Sequence, residues 1–323
     1  MPTKVLLYSA DVPDREIELS EASLADLSES QLLWIDLISP GPDELGRVAG
    51  LLDCDPAQLA PAEPAARPGL VNYGDRFRIQ AKTVSLARST EPLVREPLTL
   101  VVGRNYVITI HALDDDFLDK LRTREEGDSQ IGALSAESFA ASLLDWLLDT
   151  YFRALDVLVR DIDRIEILIL GRRVPPDNLT VLVAARRRIA DLRRLLKEHR
   201  DVFYGLSRPD FMATEHADAK PHFEALNKHF ERAEDDLETA RDLVVGSFEL
   251  LATRVGQKTN DTMRVLTFVT VLMGSLALVA GLLGMNFPLP LFDSGVHGFL
   301  VVVGSMLGFV LLAVGVAFAR RWL

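Results

Sequence analysis

The chain has 323 residues and a formal net charge of −12 at pH 7, an acidic balance that argues against nucleic acid and in favour of cations as partners. Its single cysteine, Cys54, excludes an intrachain disulfide and any cysteine-rich metal site, and suits a reducing compartment. Hydrophobic residues make up 48% of the chain, and they concentrate toward its C-terminal end.

Acidic residues stud the first twenty positions, which excludes a signal peptide there. Up to about Ala112 the pattern is one of mixed strands and short helices. Lys4–Tyr8, Leu32–Leu37, Arg76–Gln80, Leu98–Val102 and Tyr106–Ile110 are short and rich in β-branched or aromatic residues, which predicts strands. Gly103-Arg104-Asn105 reads as a hairpin connection. Pro42 to Leu52 has helical spacing after a Pro-Gly-Pro break, and Ala60 to Pro68 is a loop. The natural sum is an α/β sheet domain, placed over residues 1–130.

From Ser135 a helical period takes over. Ser135 and Ser138 open an amphipathic helix, Phe139 to Leu170, closed by Gly171 and the Pro175-Pro176 pair. A second helix, Asn178 to Leu206, is basic in Arg186-Arg187-Arg188 and Arg193-Arg194. These clusters can meet anionic headgroups, but pairing with the acidic helix Asp145 to Glu166 is the preferred reading. A third begins near Lys220 and meets no proline from His222 until Pro288. If Gly246 and Gly256 do not interrupt it, it is on the order of 90 Å long and needs neighbours to be stable. Residues 131–262 form this helical stalk region.

Residues 263–323 form a transmembrane hairpin. No charged side chain occurs from Val265 to Phe292, nor from Gly298 to Ala319, so spans of about 264–285 and 297–319 can each cross a bilayer. Arg254, Lys258 and Arg264 precede the first span, and Arg320 and Arg321 close the second. The connecting loop, 286–296, carries no Lys or Arg. Both termini are therefore expected in the cytoplasm of a bacterial inner-membrane protein, with the loop periplasmic.

Two helices in contact enclose no pore, so an aqueous path requires several copies of the chain. On the first span Asn260, Met263, Thr267, Thr270, Gly274, Ala277 and Gly281 recur at steps of three or four and share one face. That stripe reads as pore lining, with helix packing through small residues as the alternative. Gly284-Met285-Asn286 ends the span. An asparagine there offers an uncharged carboxamide, and a ring of them can hold the water shell of Mg²⁺, which dehydrates reluctantly. Gly284 would permit a tight turn and Pro288 would stop the helix; the plainer reading of Asn286 is a helix C-cap.

The runs Lys258-Thr259-Asn260-Asp261-Thr262-Met263-Arg264-Val265-Leu266-Thr267 and Ala280-Gly281-Leu282-Leu283-Gly284-Met285-Asn286-Phe287 carry a resemblance that is extended by the terminal Arg320-Arg321-Trp322-Leu323. Arg67-Pro68, Asn105 to Thr109 and Leu195 to Leu206 add to it. Together they resemble the CorA-type divalent cation transporters over most of the chain. The resemblance implies an α+β protein assembled as a funnel-shaped homopentamer, with long stalk helices lining the pore and Asn286 at its periplasmic mouth. It implies Mg²⁺ as the transported ion, with Co²⁺ or Ni²⁺ as companions. The similar ZntB-type zinc transporters usually carry Gly-Ile-Asn, while the loop Pro-Leu-Pro-Leu-Phe-Asp, without the usual acid near the mouth, keeps Zn²⁺ open. Attraction of cations there falls to Asp293. A glycine at 274, where the family is often bulkier, moves the expected constriction to Met263 and Leu266.

In this family divalent ions between neighbouring cytoplasmic domains are implied to hold the pore closed, which requires tighter binding to the closed state. Glu231, Glu234, Asp235, Asp236 and Glu238 form the densest acidic cluster of the stalk, and Glu249 lies nearer the pore. Of these, Glu231, Asp235 and Glu249 are candidate regulatory ion sites; a solvated helix face is the alternative. His222 and His229 share a face but lack a third ligand for zinc. Gly304 and Gly308 are expected to pack the second span against the first. No phosphate loop, nucleophile constellation or cofactor fingerprint occurs, so neither an enzyme nor a bound cofactor is expected. The partners expected are the chain itself, the lipid bilayer and divalent cations. The rival class is a non-conducting membrane-anchored scaffold or ion sensor.

Overall fold

The computed structural model describes residues 3–9, 13–19, 22, 27–28, 30–112, 118, 131, 134–171, 178–211, 219–285 and 295–320. It divides into two compact units, Met1–Ser247 and Phe248–Leu323.

The first unit opens with seven strands: β1 (Lys4–Ser9), β2 (Arg15–Glu16), β3 (Gln31–Ile38), β4 (Gly69–Asn72), β5 (Phe77–Ser85), β6 (Val94–Val102) and β7 (Tyr106–His111). They form one sheet in the order β2-β1-β3-β7-β6-β5-β4. Among these strands only the central β3–β7 pair is parallel. All five strands expected from the sequence are present. β2 and β4 are additions, too short and too poor in β-branched residues to stand out. A 3₁₀ turn at Pro56–Leu59, capped by the Asp55 side chain, is a further addition.

The central strands read as unbroken apolar runs because both faces are covered. Leu33, Ile35 and Leu37 of β3 point with Ile108 and Ile110 of β7 toward Val48 and Ala49 of helix α1 (Pro42–Leu51). The alternate residues point the other way, toward helix α2 (Ala136–Leu170), where Trp34 meets Phe139 edge-on at 5.4 Å. On that face the indole N–H of Trp34 donates to Thr109 Oγ1 at 3.0 Å, and Thr109 donates in turn to Asp36. His111 Nε2 lies 3.0 Å from the same Asp36 oxygen. This buried polar chain ties β3 to β7 across the sheet and leaves the Asp36 carboxylate partnered.

Helix α2 begins where Ser135 Oγ accepts from the Ser138 N–H and ends at Gly171, both as the sequence predicts. Next to it lies α3 (Asn178–Glu198), followed by α4 (Arg200–Ser207), which packs beside β4. The sequence predicts a single helix across 178–206. The break falls at His199, whose side chain is drawn to β5, and the Val202 N–H returns to the His199 carbonyl in a tightened turn.

That attachment follows from the sheet. β4 pairs with β5 only as far as Gln80, so the outward backbone groups of β5 beyond it need other partners. The Lys82 N–H donates to His199 Nε2 at 2.9 Å, the Tyr151 hydroxyl donates to the Lys82 carbonyl, and the Val84 N–H donates to Thr150 Oγ1. Both backbone groups of Lys82 therefore point away from β6. Its register partner Pro97 needs no N–H toward β5, which is why a proline is tolerated inside β6.

Helix α5 spans Ala219–Leu283, and neither Gly246 nor Gly256 interrupts it. Within the first unit its buried residues are Ala219, Phe223, Leu226, Phe230, Ala233, Leu237, Ala240, Val244 and Ser247, alternating in steps of four and three. This single stripe packs on the helical layer, with Phe230 stacked on Phe203 at 4.6 Å. Ser247 closes it by donating to Glu166. The second unit consists of the remainder of α5 and helix α6 (Val296–Ala319).

Candidate ion pathway

In the second unit the physical demand on α5 reverses. After Ser247 it buries no side chain among the described residues, and α6 buries only Gly298 and Ala317. Leu278 and Phe299 are 65% and 67% exposed, a disposition that water would not tolerate for so many large apolar side chains. Both helices are long and apolar enough to cross a membrane.

The partial burial that exists is patterned. On α5 beyond Arg254 it falls on Phe268, Leu272, Ser275, Leu276 and Leu283, and on α6 on Val302, Met306, Val310 and Ala313 in line with Gly298 and Ala317. Asn260, Met263, Leu266, Thr267, Thr270, Gly274, Ala277 and Gly281 are all exposed. At about 100° per residue they occupy the side of α5 turned away from its partly covered face. A Cβ added at Gly274 or Gly281 would meet nothing within 4 Å. Within the second unit, then, α6 leaves this face uncovered. The Thr270 hydroxyl donates to the Leu266 carbonyl at 2.8 Å, so its proton is satisfied inside the helix while the oxygen can still accept.

Gly304 and Gly308 differ from expectation. They are exposed and open within 4 Å, and lie off the line of Gly298, Val302 and Met306. The small residue on the covered side of α6 is Gly298, and the Gly-xxx-Gly spacing marks a face turned elsewhere.

Gly284 follows the last turn of α5, its N–H donating to the Ala280 carbonyl at 2.9 Å. Its backbone is not among the positive-φ positions. The missing side chain matters instead because a Cβ would crowd that carbonyl at 3.3 Å. Met285 is 49% exposed. Asn286 and Asp293 lie outside the described residues.

The acidic candidates on α5 are more engaged than the sequence suggests. Both carboxylate oxygens of Glu234 accept from Arg200, and Glu238 takes Arg193 as well as Arg241. The Glu234 carboxylate in turn raises the pKa of Arg200. Asp236 faces Arg232, and Glu231 accepts from Asn227 at 2.9 Å. Asp235 and Glu249 are exposed. Among the described residues no three metal-binding side chains converge within one chain.

The arginines of α3 correct the expected pairing with the acids of α2. Arg188 and Arg194 turn to Asp191 of their own helix, and Arg193 reaches Glu238 of α5. Leu182, Ala185, Ile189, Leu192 and Leu196 are buried, which leaves the guanidinium groups beside the helical layer. The acids of α2 serve other elements: Asp145 holds His229, and Asp161 accepts from the N–H and hydroxyl of Ser89. His222 meets Ser138 at 2.7 Å, while His229 stacks on Phe152, so the two histidines are held separately.

A sheet domain, a helical layer and two consecutive helices long and apolar enough to cross a bilayer define the class of two-span membrane proteins. The family model for CorA-like Mg²⁺ transporter proteins matches residues 29–318, and the chain belongs to that family. It is 25% identical to the cobalt/magnesium transport protein CorA of Thermotoga maritima, an alignment covering 89% of this chain and 87% of that one. It is 27% identical to the divalent cation transporter CmaX of Pseudomonas aeruginosa over 84% of this chain and 82% of the relative. In structure it is similar to the complete CorA magnesium transporter of Methanocaldococcus jannaschii, at a TM-score of 0.74 and 20% identity, covering all of both chains. The family is one of divalent cation transporters rather than enzymes.

Proposed function

We propose that the chain is a channel-like carrier of Mg²⁺, with Co²⁺ and Ni²⁺ as further cargo, built as a homopentamer in the bacterial inner membrane with both termini cytoplasmic. The observation that carries this reading is the unpartnered face of α5 from Asn260 to Gly281, opposite the side that α6 partly covers. A ring of copies turning that face inward would line a path with Thr267, Thr270 and small residues. It would also place the apolar sides of α5 and α6 against one another and lipid. The relatives' names, which speak of magnesium, cobalt and divalent cations, support the same cargo class.

On this reading residues 1–130 are the cytoplasmic α/β domain, 131–262 the stalk and 263–323 the membrane hairpin. Asn286, aided by Gly284 and Met285, forms the mouth that holds the ion's water shell, and Asp293 draws cations to it. Met263 and Leu266 form the constriction. Inward movement is driven by the membrane potential, worth about 4.6 kcal/mol per 100 mV for a divalent ion. Regulatory ions at Glu231, Asp235 or Glu249 would need ligands from a neighbouring chain, because one chain gathers no such group among its described residues.

The test is flux into proteoliposomes with Mg²⁺, Co²⁺, Ni²⁺ and Zn²⁺ supplied in turn. Mg²⁺ entry that grows with an inside-negative potential is the expected result. Selective Zn²⁺ entry would replace the cargo, and no flux of any ion would favour a scaffold or sensor.

A further inference from the structure

A groove of about 900 Å³ in the first unit is lined by residues of α3 and α5 and by Arg67 and Pro68 of the loop before β4. Six cationic side chains line it, Arg67, Arg186, Arg193, Arg194, Lys197 and Arg241, against two acids, Glu198 and Asp201. In a chain of net charge −12 this is a local inversion of sign. The cations come from three separate elements, so the concentration is a product of the fold and not of one basic helix.

Internal pairing does not use it up. Glu238 engages Arg193 and Arg241, and Asp191 lies 3.7 Å from Arg194. Arg67, Arg186 and Lys197 make no ion pair or hydrogen bond among the described residues. Glu198 and Asp201 likewise make no ion pair or hydrogen bond among the described residues, and the six cations still outnumber the acids around one concavity, where like charges are less well screened than on a convex surface. Apolar floor is present as well, in Ile189, Val244 and Pro68.

We propose that this groove binds a ligand bearing a multiply charged phosphate group. Guanidinium forks match phosphate oxygens two at a time, and a compact polyphosphate concentrates several negative charges where cations are in excess. The volume suits a ligand of nucleotide size, with the apolar floor available to its uncharged part. The same chemistry could be presented by a free polyphosphate or by a phospholipid headgroup. The site stands independently of whether the chain conducts ions.

The full chain, purified in neutral detergent with EDTA so that divalent ions do not compete, is titrated calorimetrically with sodium triphosphate, ATP and dioctanoyl phosphatidic acid, whose phosphate monoester can carry two charges. Saturable binding of at least one probe is expected, weakening with added salt. The pair Arg186→Glu and Lys197→Glu should weaken it at least about tenfold. Arg187→Glu, on the same helix but outside the groove, should change it less than about twofold. Should the charge-reversed pair not fold, Arg186→Gln with Lys197→Gln serves in its place. Binding of triphosphate or ATP identifies a soluble ligand, and binding of phosphatidic acid alone identifies a headgroup. Absence of saturable binding by all three, or an equal loss in Arg187→Glu, overturns the proposal.

Discussion

The backbone N–H of Lys82 on β5 donates to Nε2 of His199, at the joint between α3 and α4, across 117 positions of sequence. The other ring nitrogen lies 2.8 Å from the Leu195 carbonyl and donates to it, so the imidazole is neutral with both nitrogens committed. Burial, aided by the Lys82 charge, holds its pKa down to about 4 against its carbonyl partner's opposite pull.

This makes His199 a source of pH-dependent stability. An unfolded His199 protonates near 6.5, whereas the folded one resists until about 4. Between those values the unfolded chain binds more protons, so stability is full above about 6.5 and is lost as pH falls toward 4. The loss is on the order of 3 kcal/mol. Denaturation of the wild type and of His199→Gln, at pH 7.5 and at pH 4.5 (roughly the ends of the window), should show a smaller pH difference in the variant. Equal differences would mean that His199 does not carry the effect.

Asn286→Ala is expected to remove most divalent uptake in proteoliposomes while the protein stays folded and assembled. The lost carboxamide would touch the ion's water shell and not the core. Near-normal flux in a correctly inserted variant would remove Asn286 from the selectivity mouth. Asn286→Asp should hold divalent ions more tightly and pass them more slowly, since conduction needs release as well as entry.

Leu266→Ser should raise resting leak. Leu266 is 56% exposed in a single chain, and the proposed ring would turn it and Met263 into an apolar collar that expels water when closed. Unchanged resting flux would place the constriction elsewhere between Asn260 and Gly281.

Native mass spectrometry of the protein in mild detergent should give a homopentamer. The need for a ring comes from the unpartnered face of α5, and the number five comes from the family resemblance. A monomer or dimer would argue for the scaffold and against a pore.

Sequence reading succeeds here wherever the cause is local. Ser135 caps α2 because its hydroxyl sits three residues from the N–H it accepts, and β3 and β7 announce themselves as runs of large apolar residues. The face shared by Asn260, Thr267 and Gly274 is equally a matter of spacing. The break at His199 is illegible, because its partner Lys82 belongs to a strand far earlier in the chain. The same holds for Arg193, whose partner Glu238 lies on another helix, so the acidic cluster is less free than its sequence suggests. Gly304 and Gly308 show a further limit: a small-residue spacing names a face but not what it meets.

The way α2 and the His199 joint occupy the outer groups of β5 bears on how copies of this chain can associate. One margin of the sheet is the two-residue β2, and the other is the four-residue β4 with helix side chains hydrogen-bonded to β5 where β4 stops. Neither offers a long row of open amides and carbonyls on which a foreign strand could grow. During synthesis and insertion, when many copies crowd at a bilayer, that blunting withholds the commonest template for irreversible clumping. In the proposed ring, copies would then meet through surfaces other than a strand edge, and not through a continuous sheet that would lock them together.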